Sequence, residues 1–112
     1  MARQWAEGMK AFAAVVDSSG RAAADGRIHR ACQLYFASIA NQVEIHMLRS
    51  KAEERVRVRN LIESELRIAE EFLPLCEADP RIGFEPSLQY FYLPLDVREK
   101  ILWCRAVLES AL

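Results

Sequence analysis

The side chains able to do chemistry concentrate in the middle of the chain. His29, Glu44, His46, Glu53, Glu54, Glu63 and Glu65 are of the types that hold metal ions. A di-metal helical bundle needs Glu-x-x-His on two helices plus two further inward glutamates. The nearest approach, Glu44-Ile45-His46, sets its two ligands two residues apart, on different faces of a helix. No metal and no cofactor are therefore expected. Cys32 follows His29 by three residues and could touch it on one helical face. A nucleophilic thiol needs an exposed, electropositive setting that lowers its pKa. Cys32 belongs to an apolar run instead, which points to packing. No serine sits in a strained Gly-x-Ser-x-Gly turn. Arg49, Lys51, Arg55, Arg57 and Arg59 could meet phosphates, but Glu53 and Glu54 interrupt them and no aromatic residue interleaves. Fifteen basic against sixteen acidic residues leave a net charge of −1 and no global footprint of a nucleic-acid binder. Catalysis by this chain alone is not expected.

Two other polar features are more informative. Asn41-Gln42 interrupts a strongly apolar stretch, and amides are poorer helix formers than the alternatives. They serve either an interface or carbohydrate contact, or a buried polar network between neighbouring helices. The segment Arg81-Ile-Gly-Phe-Glu-Pro-Ser-Leu-Gln-Tyr-Phe-Tyr92 places Phe84, Tyr90, Phe91 and Tyr92 close together. Such aromatics must pack on the domain, on a partner, or on both. Glu85 among them needs Arg81 or a backbone group as partner if it is buried.

The elements that must position these residues are helical. The 112 residues, 52% apolar and 28% charged, form one domain spanning 1–112. The first helix runs from Ala2 to about Val16, with Trp5, Met9, Phe12 and Val16 on one face, and Asp17 to Gly20 stop it. A second helix, from Arg21 or Asp25 to Arg49, has Ile28, Cys32, Tyr35, Phe36, Ile39, Val43 and Met47 as its inner stripe. A turn near Ser50 follows. The third helix, from about Ala52 to Cys76, buries Val58, Leu61, Ile62, Ala69, Phe72, Leu73 and Cys76, with Glu65 as the one polar intruder. Pro80 ends it. The fourth starts at Asp96, which has capping-box spacing to Glu99, and faces inward with Val97, Ile101, Cys104 and Leu108, widened by Leu102 and Trp103. The fold class is all-α: an antiparallel bundle of about four helices with an ordered aromatic loop before the last. Three scattered cysteines without a Cys-x-x-Cys pair fit a reduced, cytoplasmic setting. The N-terminal apolar run is too short for a signal peptide, and no stretch approaches the roughly 18 apolar residues of a membrane span.

Asp79-Pro-Arg-Ile-Gly-Phe-Glu85, then Tyr90-Phe-Tyr92, Leu95-Asp-Val-Arg-Glu-Lys100 and Cys104, resembles the helical C-terminal region of large bacterial glycoside hydrolase-type proteins. Trp5-Ala-Glu-Gly8 and Tyr35-Phe-Ala-Ser-Ile-Ala-Asn-Gln42, with Arg49, fit the same picture. The resemblance implies a non-catalytic accessory domain packed against a catalytic barrel. It implies Asn41, Gln42, Arg81, Glu85 and Tyr90 as contacts to the barrel or its carbohydrate, with Arg49 beside them. The chain holds no barrel, so the acid and base carboxylates of glycoside hydrolysis would come from the partner. The alternative is a stand-alone bundle that forms a homodimer or binds a protein partner with Phe84, Tyr90 and Tyr92 as its hot spot.

Overall fold

The computed structural model describes residues 2–16, 20–82, 84–85, 90–91 and 93–110. It is all-α: helices α1 (Ala2–Val16), α2 (Gly20–Leu48), α3 (Arg55–Ala78) and α4 (Pro94–Glu109) run antiparallel in chain order. A single 3-10 turn, Ala52–Glu54, leads into α3 after the Arg49-Ser50 turn. Two β-residue pairs, Phe84–Glu85 (β1) and Tyr90–Phe91 (β2), form a minimal antiparallel ladder with Phe84 opposite Phe91 and Glu85 opposite Tyr90.

The substantial helix contacts join sequence neighbours: α1 with α2, α2 with α3, α3 with α4. The helices therefore form an open array, 49 × 29 × 27 Å, whose radius of gyration is 15.5 Å. A compact chain of this length would have a radius of about 13 Å. α3 is the central element. Its buried face carries Val58, Leu61, Ile62, Glu65, Ala69 and Cys76, as its three/four spacing predicts. One core cluster joins Val58 and Ile62 to Cys104, with Ile45, Leu48, Val107 and Leu108 around them. The other joins Ala69 and Cys76 to Ala31, Ile82, Val97 and Ile101. Pro74 sits inside α3, where it has no N–H to give to the Glu70 carbonyl.

Three boundaries differ from the sequence expectation. α2 begins at Gly20, earlier than Arg21 or Asp25. α3 closes at Ala78, two residues past Cys76, and Asp79 leaves the helix ahead of Pro80 with an extended backbone. α4 begins at Pro94, not at Asp96. Proline suits the first helical turn because it lacks the N–H left unpaired there. Asp96 occupies the third helical position, and its Oδ2 accepts the Leu93 N–H at 3.0 Å. That is half a capping box, since Leu93 has no side-chain acceptor to return the bond.

The largest difference lies on α2. Its buried residues are Gly26, Ala31, Leu34 and Ser38; of the predicted inner stripe, Ile28, Cys32 and Phe36 are half-buried and the other four residues turn outward. Tyr35, Ile39, Val43 and Met47 are exposed, the last three by 41%, 55% and 64% of their surface. On α4, Val97, Ile101 and Cys104 are buried as expected, but Leu102 and Trp103 face away from the core and are exposed.

Candidate functional site

The most organised polar group in the molecule is built around Glu65. Its position on the inner face of α3 leaves it 3% exposed, where an unpaired carboxylate would be costly. Two neighbouring helices supply its partners. From α2, Ser38 Oγ donates to Oε2 at 2.8 Å and Asn41 Nδ2 donates to Oε1 at 2.9 Å. From α4, Lys100 Nζ lies 2.5 Å from Oε2 and donates to Ser38 Oγ at 2.9 Å. Asn41 Nδ2 also reaches Ser64 Oγ at 3.0 Å, and Gln42 Nε2 donates to Ser38 Oγ at 2.9 Å. Glu65 lies between the two core clusters along α3, so the network clamps the array at its centre.

Chemically, this cluster is saturated. The Ser38 hydroxyl donates to carboxylate and accepts from two donors, and Lys100 is ion-paired with Glu65. Nucleophilic attack by Ser38 would need a proton acceptor facing a substrate, and the residue is buried. The network binds helices to one another. It is the polar-network role expected as one of two for Asn41.

The remaining candidate residues spread along the molecule. Gln42 is exposed beside the clamp. Arg49 is exposed in the turn after α2, eight residues or about 12 Å of helix beyond Asn41. Arg81 lies past the far end of α3, about 20 Å along the axis from Glu65. It bonds Asp79, while the side chain of Glu85, its expected partner in the loop, lies outside the described residues. Nε meets Oδ1 at 2.9 Å, Nη2 meets Oδ2 at 2.7 Å, and the Arg81 backbone N–H donates to Oδ1 at 3.1 Å. These bonds hold the nearly buried Asp79 carboxyl down to about pKa 2 and close the C-terminus of α3. The side chains of Phe84, Glu85 and Tyr90, and the whole of Tyr92, lie outside the described residues. The structure thus does not gather Asn41, Gln42, Arg49 and Arg81 into one site.

The thiols are not activated. Burial pushes Cys32, Cys76 and Cys104 upward, Cys76 to about 11 with Glu77 adding to the effect. The His29 ring lies 5.8 Å from that of Trp5, whose Nε1 donates to the His29 carbonyl at 2.8 Å. Among the described residues, no three His, Cys, Asp or Glu side chains come together to hold a metal ion. Of the basic cluster, Arg57 grips Glu44 at 2.6 and 3.0 Å, and Arg59 meets Glu63 and the Leu108 carbonyl. Among the described residues no helix is long and apolar enough to cross a membrane.

Sequence reasoning missed Ser38, Ser64 and Lys100 as partners in the clamp. Glu65 on an apolar face was the available signal. It also missed the outward apolar row of α2, Ile39, Val43 and Met47. Comparison with known proteins adds no relative: no family model, curated protein or solved structure matches the chain. None of these connects it to the carbohydrate-active proteins that its loop resembles.

Proposed function

We propose that this chain is a non-catalytic helical interaction module that docks another protein surface on the outer face of α2. The observation carrying the proposal is the row Ile39, Val43 and Met47, large apolar side chains about half exposed or more on a well-formed helix. Contiguous apolar surface of this kind marks interaction sites in folded proteins. Gln42 and His46 border the row and supply the polar rim usual at such interfaces. The accessory-domain form of this reading, in which a catalytic barrel packs against the helices, has its support in the resemblance alone.

A photo-crosslinking residue placed at Val43 in cells tests the docking face. A discrete adduct from Val43, with none from the exposed polar position Arg67, is the expected result. Equal or absent labelling at both positions would overturn the proposal.

A further inference from the structure

α1 and the exposed row of α2 share one face. His29, Cys32, Phe36, Ile39, Val43 and Met47 follow one another at three- and four-residue spacings, a single line along the helix. α1 lies on the first part of that line. The Trp5 ring stands 5.8 Å from that of His29 and 5.4 Å from that of Phe36, and half-buried Cys32 falls between these two in the line. Beyond Phe36 the row is exposed.

Among the described residues, what holds α1 to the rest is slight. Its substantial contacts are with α2. None of its described residues is buried, and neither core cluster draws a member from it. The Glu65 clamp joins α2, α3 and α4, as do the ion pairs of Arg30 with Glu71, Arg57 with Glu44 and Arg105 with Glu70. Trp5 donates to the His29 carbonyl, but that carbonyl lies inside α2, whose own hydrogen-bond ladder is complete without α1. The other three helices therefore keep their core, clamp and ion pairs when α1 leaves.

α1 is also a weak helix by itself. Its 15 residues are about the length at which an isolated helix is marginal in water. Gly8, in its middle, weakens it further relative to alanine. Nothing lies within 4 Å of where a Cβ at Gly8 would stand, so no packing demand accounts for the glycine.

We propose that α1 is a detachable cover. It frays from α2 while α2, α3 and α4 stay folded, and so extends the exposed row Ile39, Val43 and Met47 back through Phe36 and Cys32 to His29. The regulatory role rests on the docking-face reading above: α1 and a docked protein compete for one line of side chains.

Thiol labelling of the native full chain with iodoacetamide reads the opening. Cys76 and Cys104, one in each core cluster, report global unfolding. Cys32 should react before them, at a rate that low urea barely changes, because the opening exposes little surface. Trp5→Ala should speed Cys32 at least about tenfold and Gly8→Ala should slow it about fivefold, with Cys76 and Cys104 unmoved by either. Reaction of Cys32 in step with Cys76 and Cys104 would overturn the proposal, as would a Cys32 rate indifferent to both substitutions. The crosslink from Val43 separates the two readings. With the cover loosened by Trp5→Ala, its adduct should increase. An unchanged adduct overturns the covering role and keeps the docking face. No adduct at all, with Cys32 opening as expected, removes the docking face and keeps the detachable helix.

Discussion

On its inner side α2 meets α3 and α4 through Ser38 and Asn41, both bonded to a carboxylate with almost no solvent exposure. On its outer side, Ile39, Val43 and Met47 stand in water. The two regions share one helix and invert the usual rule of polar outside, apolar inside. The polar side works because each buried group has a partner, and a saturated network costs little beyond an apolar core. The apolar side is unexplained by the fold and so points beyond the chain. Buried polarity here is internal glue, and exposed apolarity is the feature available for recognition.

Removing one member of the clamp should break the comparison most severely. Glu65→Ala leaves the Lys100 ammonium and Ser38 without their acceptor, and a loss of about 3 kcal/mol is expected in urea unfolding. Glu65→Leu combined with Lys100→Met and Ser38→Ala should recover most of that loss, since apolar replacement of a whole buried polar group is often neutral. If the triple variant is as unstable as the single one, the clamp is more than a satisfied charge. Asn41→Ala comes next, at about 1–2 kcal/mol, because Glu65 keeps two of its donors. Smaller again is the acid response of the Asp79–Arg81 pair. The carboxyl titrates near 2 when folded and near 4 when unfolded, so the pair's contribution is complete above pH 4 and is lost as pH falls through 2. Asp79→Asn should flatten the stability profile between pH 4 and pH 2, read by thermal melts at each pH. A profile as steep as that of the parent chain would assign the acid sensitivity elsewhere. At the small end, Ile39→Ser or Val43→Ser should change the stability of the dilute chain by no more than about 0.5 kcal/mol. A larger loss would mean that the outer row supports the fold after all.

The helices themselves were legible because α3 and α4 pack with ordinary apolar spacing. Val58, Leu61, Ile62, Ala69 and Cys76, and then Val97, Ile101 and Cys104, are buried where their periodicity puts them. Glu65 announced itself by interrupting such a face. α2 misled because its strongest apolar row is not its buried one. Its buried face holds Leu34 but otherwise Gly26, Ala31 and Ser38, small residues that carry little weight in a hydrophobic pattern. Ser38 and Lys100 gain their role only from being brought to Glu65 across 27 and 35 residues of chain, which no local spacing encodes. Arg81 was read as a partner for Glu85, whose side chain lies outside the described residues, and its bonds to Asp79, two residues upstream at the helix end, were not foreseen.

The neighbour-to-neighbour order of the helices carries a kinetic consequence. Because the substantial backbone contacts join consecutive helices, most loops the chain closes as it folds are short, the arrangement associated with folding in microseconds to milliseconds, and the α2–α4 contact of Ser38 with Lys100 closes a longer one. Loss of structure should follow the same line. α1 makes its substantial helix contacts with α2 and contributes none of the clamp's described residues, so its amide protons should exchange through openings smaller than those of α3. Detachment would take the Trp5 ring away from Phe36 and leave more of the outer side of α2 in water.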